Sequence, residues 1–163
     1  MTPFFRYGLF TLLFLLLAGC ADNPPPPPAP PPPPPTQLML RIQADESINP
    51  DASGKPAPVL LRIYELKEQT AFTGADFFTL FEKDSATLGA ALLKKQEFFI
   101  KPGDNKALNI QTDPATTQIA VFAAFRVLDT AQWRAVYELA AHQQNNVAAT
   151  ITGNSLKLGP ITP

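Results

Sequence analysis

One cysteine, Cys20, and one histidine, His142, are all that the chain offers of two residue types that commonly hold metals or carry nucleophilic chemistry. A single thiol excludes an internal disulfide, and one imidazole without a partner leaves a zinc-type site short of its donor set. Charge of one sign is lacking too. The chain has 13 Lys and Arg against 14 Asp and Glu, with no basic run, which excludes the electrostatic footprint of a nucleic-acid binder. Its 8 glycines are isolated turn residues, so there is no glycine-rich cradle for phosphate. His142 lies in the polar stretch 142–146 and reads as an exposed loop residue. No acid, base and nucleophile fall into a recognisable arrangement, and no catalytic residue is assigned. No apolar run reaches the roughly 20 residues that a lasting membrane helix needs.

What is present begins with an export signal. Arg6 and the free amino terminus precede the apolar run Leu9 to Leu17, followed by the small residues Ala18 and Gly19. That outline predicts a signal peptide over residues 1–19. Leu17-Ala18-Gly19-Cys20 resembles the bacterial lipobox, which implies that Cys20 is lipidated and becomes the new amino terminus of the lipid-bearing segment 20–23. A diacyl anchor holds stably where one chain is marginal. No cofactor is expected beyond this covalent lipid. From Pro24 to Pro35 every residue but Ala29 is proline, so segment 24–35 lacks amide donors and has fixed φ. A polyproline II tether of about 37 Å is expected. It reads as a spacer, with recognition by a proline-binding domain as the alternative.

Residues 36–163 read as the folded domain, of which 67–90 or so is helical. Leu38, Leu40 and Ile42 alternate with Met39, Arg41 and Gln43, the period of a half-buried strand. Val59–Leu66 is apolar on both faces, as in a strand covered by another layer. Further strands are expected at 92–100, 107–112, 117–127, 133–139, 147–152 and 155–158, with 117–127 central. The helical stretch holds Phe72, Phe77, Phe78, Leu80 and Phe81, with Asp76 near its start, Asp84 or Ser85 as a second cap and Gly89 as a break. These aromatics read as glue to the domain; a ligand pocket is the alternative. Seven or eight short strands and one helical insertion argue a mainly β, two-sheet β-sandwich.

Between the first two strands, Asp45 to Ala57 is rich in turn formers and too long for a simple hairpin. Asn49, Asp51, Ser53 and Gly54 match the first half of a calcium loop, but the twelfth position is Leu60 instead of Glu, and calcium is rejected.

The lipobox, Val59-Leu60-Leu61-Arg62-Ile63-Tyr64-Glu65-Leu66, Phe72, Ala75-Asp76-Phe77-Phe78, Leu80-Phe81, Leu88-Gly89, Leu92-Leu93, Pro102-Gly103 and Ala131-Gln132-Trp133-Arg134 together resemble the TssJ (SciN/VasD) outer-membrane lipoprotein family of the type VI secretion system. The resemblance implies a transthyretin-like sandwich and a structural role. It implies a lipid-anchored subunit that binds the periplasmic carboxy-terminal domain of TssM, and TssL indirectly through TssM, with no enzymatic activity. Its protruding loop maps onto Asp45–Ala57, which places Ile48, Asn49, Pro50, Asp51, Ala52, Ser53, Gly54 and Lys55 at the partner site. Ala21, where Asp would signal inner-membrane retention, favours the outer membrane. A lipid-anchored module for a small ligand or glycan is the alternative.

Overall fold

The computed structural model describes residues 30–161. The signal peptide, Cys20 and the tether up to residue 29 lie outside the described residues. Pro33–Pro163 forms one compact unit.

Among the described residues, eight strands form two sheets. β1 (Gln37–Ala44), β4 (Asn105–Gln111), β7 (Gln144–Thr152) and β8 (Ser155–Pro160) make one, in the order β4-β1-β7-β8. β2 (Val59–Leu66), β3 (Leu92–Ile100), β5 (Gln118–Ala124) and β6 (Arg134–Glu138) make the other, in the order β3-β2-β5-β6. The β1–β7 pair is parallel and the remaining pairs are antiparallel. Between β2 and β3 come two helices, α1 (Thr70–Gly74) and α2 (Phe77–Leu88), and a short 3-10 turn at Gly89–Ala91. This is the expected two-sheet sandwich with its helical insertion.

Alternation builds the core between the sheets. Leu38, Leu40 and Ile42 of β1 meet Val59, Leu61 and Ile63 of β2, with Ile119 and Val121 of β5 and Val147, Ala149 and Ile151 of β7. The opposite face of the second sheet supplies a second core, in which Tyr64, Leu66, Ala120 and Phe122 pack under Phe72, Leu80 and Leu88 of the insertion. β2 and β5 are therefore covered on both sides, and both are central, as their two apolar faces predict.

Local chemistry sets the helix. Asp76 caps α2, its carboxylate accepting from the Thr79 amide at 2.9 Å and the Thr79 hydroxyl at 2.6 Å. Gly89 closes the helix with φ of 48°. Lys83 departs from helical geometry, and the next residue, Asp84, turns into the sheet. There its carboxylate accepts from the Tyr64 hydroxyl at 3.0 Å and from Lys95 Nζ at 3.0 Å, with Arg62 Nη1 at 3.3 Å. The Ser85 amide donates to it at 2.6 Å. Arg62 also donates to the Leu80 and Phe81 carbonyls, and Arg134 to those of Phe72 and Ala75. Two arginines of one sheet face thus hold the helical backbone down.

Burial alone would raise the Asp84 pKa, but the bonds from Lys95, Tyr64 and Ser85 outweigh it and hold the carboxyl below its ordinary 3.8. A depressed carboxyl stabilises the fold above its unfolded pKa, and that stability is lost as pH falls through the folded value. The urea midpoint of wild type is therefore expected to drop below about pH 4, and Asp84→Asn to lose part of that step while being weaker at pH 7. Identical pH profiles for the two would contradict the lock.

The polar stretch 142–146 differs from expectation. β7 starts at Gln144, not 147, because β1 templates it in parallel from the pairing of Gln37 with Gln144. Asn145 faces inward and spends its amide on backbone: it accepts from Ala140 N and donates to the carbonyls of Gln37, Ala140 and Gln143. β5 ends at Ala124 and not at Val127. His142, at φ of 60°, is exposed as expected, and its backbone amide donates to Thr36 Oγ1 while Nδ1 stands 3.0 Å from the Pro34 carbonyl. The sole histidine thus bonds the chain at Pro34 and Thr36, just ahead of β1.

Candidate functional site

Strand direction places Thr36 and the long loop at opposite ends of β1. The chain enters at Thr36, and β1 carries it to Ala44, where the loop over residues 45–58 begins. The turn at 101–104 and the β7–β8 turn at Gly153 reach the same end, as their bonds to the loop show. Asp45 N donates to the Ile151 carbonyl at 2.9 Å, Asn49 N to the Gly153 carbonyl at 2.8 Å and Gly103 N to the Asp45 carbonyl at 3.3 Å.

Of the eight residues expected at the partner site, two are buried. Ile48 is 0% exposed and belongs to the inter-sheet core. Asn49 is 2% exposed. Its side-chain Nδ2 donates to the Pro58 carbonyl at 2.7 Å, and its Oδ1 accepts from the Arg126 amide at 2.8 Å. The reason is energetic. Burying an isoleucine side chain is worth about 1.5 to 3 kcal/mol, and a loop this long needs such a peg to be held at its base. Asn49 also adopts φ of 50°, a left-handed conformation that Asn tolerates better than most residues. The Ala57 amide then donates to the Ile48 carbonyl at 3.1 Å and closes the neck.

Beyond the neck the tip organises itself. Asp51 Oδ1 accepts from Ser53 N at 2.9 Å, Ser53 Oγ at 2.6 Å and Lys55 N at 3.0 Å. The Asp51 amide donates to the Lys55 carbonyl at 3.0 Å, and the Gly54 amide to the Asp51 carbonyl at 2.9 Å. Gly54 takes φ of 82°, which a side chain would strain. The Ser53 hydroxyl bond, with the Lys55 amide, holds the Asp51 carboxyl below its ordinary pKa. Spent in this way, Asp51 shapes a turn. Pro50 and Asp51 are half-buried, and Ala52, Ser53, Gly54 and Lys55 are exposed. The arrangement is a rigid knob on a pinned neck.

Sequence reasoning missed Pro58, Arg126 and Gly153 as the loop's anchors. Each contributes a backbone group, so residue type carried no signal, and only the fold brings them within reach. Of the aromatic stretch, Phe72 and Leu80 are buried as expected and Phe77 packs against the sheet, 5.0 Å from Phe122 and 5.4 Å from Trp133 between ring centroids, whereas Phe78 and Phe81 are exposed. Trp133 and Arg134, part of the family-like pattern, serve the same layer. Among the described residues no group of three metal-capable side chains comes together, and no helix is long and apolar enough to cross a membrane.

The family model described as type VI secretion lipoprotein, VasD, EvfM, TssJ, VC_A0113 matches residues 36–154. Among solved structures, the type VI secretion lipoprotein TssJ1 from Pseudomonas aeruginosa is similar with 34% identity and a TM-score of 0.77, covering 80% of this chain and 99% of that one. Lip from Serratia marcescens, a membrane-bound component of the type VI secretion system, is similar with 28% identity and a TM-score of 0.67, over 79% of this chain and 98% of that one. A chain in the structure described as the type VI secretion protein TssM C-terminal domain from EAEC is 30% identical with a TM-score of 0.62, over 77% of this chain and 98% of that one. No curated protein sequence matches. The chain belongs to the type VI secretion lipoprotein family of TssJ, SciN and VasD.

Proposed function

We propose that this chain is a structural subunit that is lipid-anchored through Cys20 to the periplasmic face of the outer membrane. It holds the periplasmic carboxy-terminal domain of TssM with the loop tip Pro50, Asp51, Ala52, Ser53, Gly54 and Lys55, and so helps TssJ, TssL and TssM assemble. The observation that carries this reading is the pinned loop at the end of β1 farthest from the tether's entry at Thr36. Eight strand residues add about 27 Å of reach beyond the tether. A rigid tip meets a partner without a large ordering cost, and binding loops on rigid scaffolds are common.

The experiment is a co-purification from cells. Wild type is expected to be labelled by palmitate and to carry the TssM-type protein into the outer-membrane fraction. Cys20→Ser is expected to remain an unlabelled, uncleaved precursor and to lose that association. Normal labelling of the variant would overturn the anchor, and a labelled wild type that never co-purifies TssM would overturn the partner.

A further inference from the structure

The outer face of the second sheet is only partly covered. Register places Leu60 between Phe99 of β3 and Ala124 of β5, and the next outward row, Arg62, lies between Glu97 and Phe122. Helix α2 covers that inner row: Arg62 bonds its carbonyls and stands 5.3 Å from the Phe81 ring. The Leu60 row is covered less: Leu60 and Ala124 are only half-buried. Phe99 is 68% exposed, and along the helical edge Phe78 is 61% and Phe81 40% exposed. Large exposed aromatics on an open strand are an aggregation hazard that proteins ordinarily blunt with charge. β3 does so at Lys94, Lys95 and Glu97, and then carries Phe99.

We infer that this strip, Leu60, Ala124 and Phe99 with Phe78 and Phe81 along its edge, is a second contact surface for the protein partner that holds the loop. The inference rests on the loop reading above. Two features select that occupant. The first is continuity, because Asn49 fastens the loop to Pro58 and Arg126, which stand two residues before Leu60 and two residues after Ala124 in the chain. The second is charge. Lys101 and Arg126, both exposed, follow the ends of β3 and β5 by one and two residues, and neither forms an ion pair among the described residues. The complementary surface presents apolar side chains beside a carboxylate that meets this basic rim.

The test measures binding of the mature lipoprotein in detergent to the TssM-type periplasmic domain, with melting curves for each variant. Phe78→Ser with Phe99→Ser is expected to melt like wild type, since both rings are exposed, and to bind about tenfold or more weakly. Lys101→Glu with Arg126→Glu is expected to bind more weakly and with a smaller salt dependence. If the phenylalanine variant binds as wild type does while a loop-tip replacement fails, the strip inference is overturned and the loop reading stands. Absence of binding by folded wild type overturns both. A wild-type dimer in sedimentation that Phe99→Ser dissolves assigns the strip to a second copy and also overturns the inference.

Discussion

Asn49→Ala is expected to destabilise the domain by about 3 to 5 kcal/mol and to release the loop from its neck. Three effects add. Two hydrogen bonds disappear, each worth about 1 kcal/mol net, and the Pro58 carbonyl and the Arg126 amide left behind, both only part-buried, add at most about 2 kcal/mol of desolvation between them. Alanine at a φ of 50° adds about 1 kcal/mol of backbone strain. Asn49→Gly separates these contributions, because glycine removes the strain and leaves the lost bonds. Urea unfolding should order the three proteins as wild type, glycine, alanine. Hydrogen exchange should rise at 45–58 before it rises in β1 or β2. An alanine variant as stable as wild type would mean that the neck is held by Ile48 alone.

Phe122→Ala is expected to be similarly damaging, at about 3 to 5 kcal/mol, by a different route. Phe122 is 0% exposed and sits on β5 under the insertion. Its ring packs 5.0 Å from Phe77 and 5.5 Å from Trp133, and the Arg62 guanidinium lies 5.7 Å above it. Removing the ring opens a cavity between sheet and helix that the surrounding rings cannot fill without leaving their own contacts. The inter-sheet core lies on the other face of β5 and keeps its packing. Amide exchange in 70–91 should therefore accelerate more than in β1 and β7, and the urea midpoint should fall. Uniform acceleration across both sheets would show that the two cores do not behave as separate layers.

These two residues also mark what the sequence makes legible. Phe122 stands in a strand with apolar residues at every position from Ile119 to Phe125, so its burial on a covered face follows from periodicity. The same holds for the alternation of β1 and the cap at Asp76, which depend on neighbours in the chain. Asn49 is different. Amid Ser47, Pro50 and Asp51 it looks like a solvated turn residue, and its burial depends on Pro58 and Arg126. Ile48 carried a usable signal, since a lone isoleucine in a polar loop seeks a core, but reading it as presented to a partner inverted its role. Asn145 misled in the same way: polarity argued for a loop, while four bonds to backbone made it part of β7. Polar residues that satisfy distant backbone groups are opaque to periodicity.

The account turns on the loop tip as the binding element. Calorimetric titration of the Thr36–Pro163 domain with the periplasmic domain of the TssM-type protein, alongside a variant whose Pro50–Lys55 segment is replaced by a short Gly/Ser turn, tests it most directly. The variant keeps Ile48 and Asn49, so the neck and the fold should survive, as circular dichroism would show. Saturable heat for wild type and none for the folded variant is the predicted result. Equal affinity for both proteins would contradict it.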